Sequence, residues 1–260
     1  MNAHARETAT LNRWIRDAPP ASSRRPRLFC LPFAGGGARA FRSWQSLLDD
    51  VADVLPVQLP GRENRYREPL ATDIDALARS VADGMADHCR SPYLLYGHSM
   101  GALLAYRFVH TMAQRGAPLP ELLIVAAHRA PHQPPMEPLA HSLPREELVQ
   151  RLKEFGATPT EILDHAQMLD FFLPVIRSDF ALSELAPVYD PDAPLDVPIL
   201  ALGGTDDPLV GRDDLSAWSA HTTLDFRMRE FPGGHFFQDE HAARVMMLLR
   251  EELSRIGMRT

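Results

Sequence analysis

The chain has only two cysteines, Cys30 and Cys89, in unrelated surroundings and without the spacing of metal ligands. A disulfide-stapled scaffold is thereby excluded, and two free thiols in a reducing compartment are expected. No apolar run approaches the roughly 20 residues that a membrane-spanning helix needs. The N-terminus carries charge but no apolar stretch behind it, so no signal peptide is read. The expected location is the cytoplasm, with no membrane partner. Excess positive charge is missing too: 27 Lys and Arg stand against 34 Asp and Glu, for a net charge of −7. That balance speaks against nucleic acid as the main partner. Internal repeats and low-complexity tracts are absent.

What is present is an ordinary globular composition, 45% hydrophobic and 23% charged, able to bury a sizeable core. The charge is unevenly spread. Residues 1–27 hold six arginines against Glu7 and Asp17, a balance of +4 that leaves −11 for the rest. With "APPASSRRPR" inside it, this segment predicts a mobile tail over residues 1–26, followed by one domain over 27–260.

Short apolar runs alternate with helical patterns along that domain. "RLFCLPF" (27–33), "VLPVQLP" (54–60), "YLLYG" (93–97), "LLIVAA" (122–127), "VPILALGG" (197–204) and "LDFRMREFPGG" (224–234) read as strands. Most are apolar throughout, as strands buried on both faces of a parallel sheet are. Helical spacing between them predicts a doubly wound α/β sheet. The alternation breaks after "LLIVAA", where four prolines between 131 and 138 precede nearly fifty residues of helical pattern. An insertion at about 131–187 is expected to form a lid over the C-terminal strand edge, where open α/β sheets bind ligands. Its apolar residues include Leu169, Phe171, Phe172, Val175, Ile176 and Phe180, too many for one helical stripe. Some should therefore face a bound ligand, with Phe171, Phe172 and Phe180 as the candidates, and Pro174 is expected to kink or break their helix.

"LLYGHSMGALLAYR" (94–107) places Ser99 between two glycines, after a strand and before a helix. A turn so sharp leaves little room for side chains and holds the hydroxyl clear of the sheet, near helix amides that favour negative charge. A serine hydroxyl needs a base to become a nucleophile. Of eleven histidines, His235 in "FPGGHFF" follows the last strand, on a glycine-freed loop that can bring an imidazole over Ser99. His128 and His132 have i, i+4 spacing, but Pro131 intervenes and no third ligand accompanies them, so no metal site is read there. "ALGGTDDPLV" offers Asp206 and Asp207 as the carboxylate that would orient the imidazole. The side chains of neighbours diverge, so only one should face His235, and the residues alone leave that choice open.

In this arrangement the sequence resembles the α/β-hydrolases, and more closely the type II (editing) thioesterases of polyketide and nonribosomal peptide assembly lines. "LPFAGGGARAF", "VQLPGRENR", "YGHSMGALLAYR", "LGGTDDPLV" and "FPGGHFF" carry the resemblance, in the family's order from residue 28 to 237. It implies an α/β-hydrolase fold, a mostly parallel doubly wound sheet with a helical lid. It also implies Ser99 as nucleophile and His235 as base. The family's Gly-x-x-Asp-x-x-Val pattern falls on Gly204, Asp207 and Val210, which picks Asp207. The oxyanion hole would be the backbone amides of Ala34 and Met100. Phe33 departs from the pattern, since relatives often carry His or Tyr there. The implied reaction is hydrolysis of acyl groups from the phosphopantetheine arm of an acyl or peptidyl carrier protein, by a monomer without metal or cofactor. A carboxylesterase or acyltransferase would share the triad, and a non-catalytic binding protein of the same fold is a further alternative.

Overall fold

Apolar runs with no polar face must be covered on both sides, and in the computed structural model they form one six-stranded sheet. The structure describes residues 13–15, 25–90, 92–156, 165–190 and 192–257. The strands are β1 (Arg27–Leu31), β2 (Asp53–Pro56), β3 (Tyr93–His98), β4 (Leu122–Ala126), β5 (Ile199–Gly204) and β6 (Phe226–Phe231). Their order is β2-β1-β3-β4-β5-β6, and every neighbouring pair is parallel. β1, β3, β4 and β5 are buried along their whole length. The edge strand β6, "FRMREF", is half-exposed and correspondingly mixed in composition.

Alternate residues of each strand feed two cores, one per face, as the two-residue period of a strand requires. Phe29, Leu31, Tyr93 and Leu95 pack under helices α2 (Ile74–Met85) and α3 (Met100–Gln114). Leu28, Cys30, Leu94 and Tyr96 pack under α1 (Arg42–Leu48) and α8 (Ala242–Gly257), through Trp44, Leu48, Leu249 and Leu253. Each such fully buried side chain contributes roughly 1.5–3 kcal/mol of transfer free energy. The Asp73 carboxylate starts α2 by accepting from the Ala76 N–H at 2.6 Å, and Gly116 ends α3 with the paired bonds Gly116 N–H to Ala113 O and Ala117 N–H to Met112 O.

Between β4 and β5 lies the expected helical insertion. It contains a short turn at Ala140–Ser142, then α4 (Arg145–Phe155) and α5 (Ala166–Glu184). Leu143, Leu148, Leu152, Leu169, Leu173 and Ile176 give these helices a small core of their own. Pro174 does not break α5, contrary to one expectation: the helix continues through it. Proline removes a single backbone bond, and the packing of Leu169, Leu173 and Ile176 on either side holds the helix together. Two short helices, α6 (Arg212–Ser216) and α7 (Phe237–Glu240), follow β5 and β6.

The expected mobile tail over 1–26 lies mostly outside the described residues, but where it is described it is anchored. Ile15 bridges to Val57 in antiparallel fashion, Gln58 N–H donates to Trp14 O at 2.7 Å, and the Arg65 guanidinium covers the Trp14 ring at 4.2 Å. Composition weighed the arginines and prolines, and overlooked two adjacent residues apolar enough to dock. Among the described residues no helix is long and apolar enough to cross a membrane.

Candidate active site

The strand order reverses between β1 and β3, so the loops leaving those two strands separate and open a crevice at their C-terminal ends. Ser99 stands in that crevice. It has φ 53° and ψ −123°, a strained conformation that costs a non-glycine residue about 1–3 kcal/mol. The strain is held by a bond from Ser99 N–H to Ala126 O at 2.8 Å on one side and by the start of α3 on the other. The helix turns back so closely over the sheet that side chains are excluded. A Cβ on Gly97 would sit 2.1 Å from Gly101 O, and one on Gly101 would sit 2.4 Å from Leu31 O.

His235 and Asp207 arrive from the ends of β6 and β5. Ser99 Oγ lies 3.0 Å from His235 Nε2, and His235 Nδ1 lies 2.8 Å from Asp207 Oδ2. The other Asp207 oxygen accepts from Leu209 N–H at 2.9 Å. A carboxylate only accepts, so Nδ1 carries the imidazole proton and Nε2 presents its lone pair to the serine hydroxyl. The His235 and Asp207 side chains are 5% and 0% exposed, so this line of bonds is shielded from competing water. Asp206 is exposed and faces elsewhere: its carboxylate accepts from Gly233 N–H at 3.2 Å, and its own N–H donates to Gly233 O at 2.9 Å. The geometry thus joins Asp207, not Asp206, to the histidine.

The loop after β1 supplies a backbone donor. Phe33 O accepts from Gly36 N–H at 2.9 Å, which in a trans peptide turns the Ala34 N–H to the opposite side. Met100 N–H is the first amide of α3 and has no acceptor within its own helix. Ala34, Ser99, Met100 and His235 line one hollow together. Beside them, burial and the neighbouring His235 hold the His98 imidazole well below the usual histidine range. His98 therefore stays neutral and adds no charge against a protonated His235.

Two hollows meet at Ser99. One runs beneath the insertion past Leu103, Met136, Ala140 and Val188. The other follows the β1 loop past Phe33, Gly36, Phe172, Ile176 and Phe236. Phe155 and Phe180 line both. Of the three candidate aromatics, Phe172 and Phe180 therefore reach the crevice, while Phe171 does not. It is 63% exposed, meets Phe172 edge-on, and lines an outer groove with Tyr66 and Arg39. Phe172 stands between the two, lining the outer groove as well as the hollow along the β1 loop. Phe155 went unnamed in the sequence, although its place after Leu148 and Leu152 puts it on the buried stripe of α4; its ring lies 6.2 Å from that of His235.

His128, His132 and His221 are engaged elsewhere. His128 donates from Nδ1 to Arg129 O at 2.7 Å and accepts at Nε2 from Ser183 Oγ at 3.0 Å. His132 meets His221 at 2.7 Å. Among the described residues no group of three or more His, Cys, Asp or Glu is placed to hold a metal.

Comparisons with known proteins extend over nearly the whole chain. A model of the Thioesterase domain family matches residues 26–253. The gramicidin S biosynthesis protein GrsT of Aneurinibacillus migulanus is 35% identical over 94% of this chain and 94% of its own. The thioesterase PikA5 of Streptomyces venezuelae is 33% identical over 87% of this chain and 80% of its own. Among solved structures, the type II thioesterase BorB from the borrelidin biosynthetic cluster superposes with a TM-score of 0.83 at 37% identity, covering 92% of this chain and 97% of its own.

Proposed function

This chain belongs to the thioesterase family, in its α/β-hydrolase fold, and from that premise we propose that it removes acyl groups from the phosphopantetheine arm of carrier proteins, with Ser99, His235 and Asp207 as its catalytic triad. The observation that carries the proposal is the shielded line of bonds from Ser99 Oγ through His235 to Asp207 at the switch point of the sheet. The editing role is supported by likeness to proteins described as type II thioesterases of biosynthetic clusters.

In the forward step Ser99 Oγ attacks the thioester carbonyl carbon while its proton passes to His235 Nε2. Charge grows on the carbonyl oxygen, which the Ala34 and Met100 amides receive; such preorganised donors are each worth about 10²–10³ in rate. Collapse breaks the C–S bond, and the His235 proton leaves with the pantetheine thiol. In the second half His235 takes a proton from water, whose oxygen attacks the acyl-serine, and returns it to Ser99 as the free acid departs. Asp207 holds the imidazole tautomer through both halves and stabilises the imidazolium. The two hollows meeting at Ser99 leave room for an acyl chain and a pantetheine arm on different sides of the reacting carbon.

The test is intact-mass spectrometry of acyl-loaded carrier proteins incubated with the enzyme. Loss of the acyl mass, with the phosphopantetheine retained and free acid formed, supports the reading. An oxygen ester of the same acyl group cleaved faster than the thioester would point to a carboxylesterase, and transfer to an added alcohol or amine to an acyltransferase. No labelling of Ser99 by a fluorophosphonate would point to a binding protein.

A further inference from the structure

We propose that Asp179, on helix α5 of the insertion, is a positioning residue for the acyl-transfer step: together with Arg62 it holds the β1 loop so that the Ala34 amide stays in place. The inference rests on the reading of Ala34 as an oxyanion donor. Asp179 is 1% exposed and lines neither hollow at Ser99, so it acts through other groups.

Its carboxylate is fully engaged. Oδ2 accepts from Gly35 N–H at 2.7 Å and from Arg62 Nη1 at 2.5 Å, and Oδ1 accepts from Arg62 Nη2 at 2.8 Å. Arg62 in turn donates from Nη1 to Gly36 O at 3.2 Å and from Nε to Pro60 O at 3.2 Å. The pair therefore grips the loop at both ends of the Gly35–Gly36 pair, by the Gly35 N–H and by the Gly36 carbonyl. Helix and loop are also in contact: Gly35 has φ +78°, and a Cβ there would lie 2.8 Å from Ile176 Cγ1. With the turn bond from Gly36 N–H to Phe33 O, every peptide flanking Ala34 has its direction set by a hydrogen bond.

Stability alone gives no reason for such a pair. A buried ion pair replaced by apolar residues of similar size is often as stable or more so. Geometry does give one, since an oxyanion donor displaced by about 1 Å can cost on the order of 10²-fold in rate. Because Asp179 sits on the insertion, the oxyanion hole is complete only when α5 is seated on the β1 loop. This links the insertion to the chemistry without placing any of its residues on the substrate.

The experiment compares kcat, KM and Tm on an acyl-pantetheine thioester for the wild type, Asp179→Asn, and the apolar pair Arg62→Met with Asp179→Leu. The apolar pair should keep a Tm near wild type while kcat falls about 10- to 100-fold and KM changes less than about 2-fold. Asp179→Asn keeps an oxygen for the Gly35 N–H, so it should hold more kcat than the apolar pair despite a lower Tm. If kcat simply tracks Tm across the set, or the stable apolar pair turns over at the wild-type rate, the pair is structural and the proposal fails. Should the apolar pair not fold, Asp179→Asn assayed well below its Tm decides alone: kcat lowered at unchanged KM supports the proposal, and wild-type kcat overturns it. Rates of Ser99 phosphonylation by a fluorophosphonate are measured in parallel, since that reaction also builds charge on an oxygen in the hole. A wild type that labels but does not cleave thioesters counts against the proposed reaction, and the labelling rates of the variants then still decide the role of Asp179.

Discussion

Ser99 keeps its unusual backbone whether or not it keeps its hydroxyl, so its variants separate chemistry from folding. Ser99→Ala is expected to lose at least about 10⁵-fold in kcat, with no acyl-enzyme trapped, because triad members act as a unit. Its Tm should stay within a few degrees of wild type, since the φ of 53° persists. Ser99→Gly should be equally inactive yet melt higher than Ser99→Ala, by about 2–4 °C, because glycine enters that region of φ without strain. Equal melting temperatures for the two would mean the elbow stores no strain. For the acid, Asp207→Asn should cost about 10³–10⁴-fold, since asparagine still fits but favours the wrong tautomer. Asp206→Asn, exposed and turned to Gly233, should change kcat/KM by less than about 3-fold. Equal losses would overturn the assignment. The sequence motif singled out Ser99 and His235 because strand, turn and glycines surround both. Two adjacent aspartates on one loop offered no such contrast: which of them turns inward depends on the Gly233 backbone that arrives from a different strand.

At the scale of elements, what could be read followed burial. β1, β3, β4 and β5 are covered on both faces and showed as unbroken apolar runs, while α2 and α3 showed through their spacing. The insertion was legible as helices but not as a surface. Phe172, facing a hollow, and Leu173, facing the small core, are equally apolar, so periodicity alone does not tell a cavity wall from packing. Asp179 is the opposite case: a polar residue on the buried stripe of α5 with Val175, Ile176 and Leu182, whose partner Arg62 comes from a loop 117 residues away in the chain and so leaves no local signal. From this placement we expect Phe155→Leu and Phe180→Leu, at the junction of the hollows, to shift the preferred acyl length of kcat/KM. Phe171→Ala, at 63% exposure, should leave length preference unchanged and stability within about 0.5 kcal/mol. A length series of acyl-pantetheines checks this. A shift with Phe171→Ala and none with Phe155→Leu or Phe180→Leu would mean the chain binds in the outer groove instead.

Over the whole molecule the histidines bear on acid stability more than any other residue type. Burial pushes His110, His128 and His221 down to about 4, and His98 well below its usual range. His221 shows the cause in its contacts: its Nδ1 is 2.8 Å from Tyr106 Oη and its Nε2 is 2.7 Å from His132 Nδ1. A proton on His221, itself fully buried, would bring a charge beside a second imidazole. In the unfolded chain all four titrate near 6.5. Between about pH 6.5 and 4 the unfolded state therefore binds more protons than the folded state, and stability rises with pH. The full contribution is present above 6.5 and is lost progressively as pH falls towards 4. Below about 4.5 the carboxylates held low by arginine, Glu252 by Arg227 and Glu68 by Arg65, add to the loss. The net charge opposes the trend, since it passes from −7 at pH 7 through zero near 5.9 and so relieves self-repulsion in the upper part of the window. Two buried imidazoles, His98 and His221, and two half-buried ones, His110 and His128, outweigh that diffuse term. Tm is accordingly expected to be level from pH 8 to 7 and to fall steadily from 6.5 to 4.5, well before ordinary carboxylates protonate. A flat Tm over that interval, read by calorimetry at constant ionic strength, would mean the imidazoles are hydrated or already charged in the folded protein.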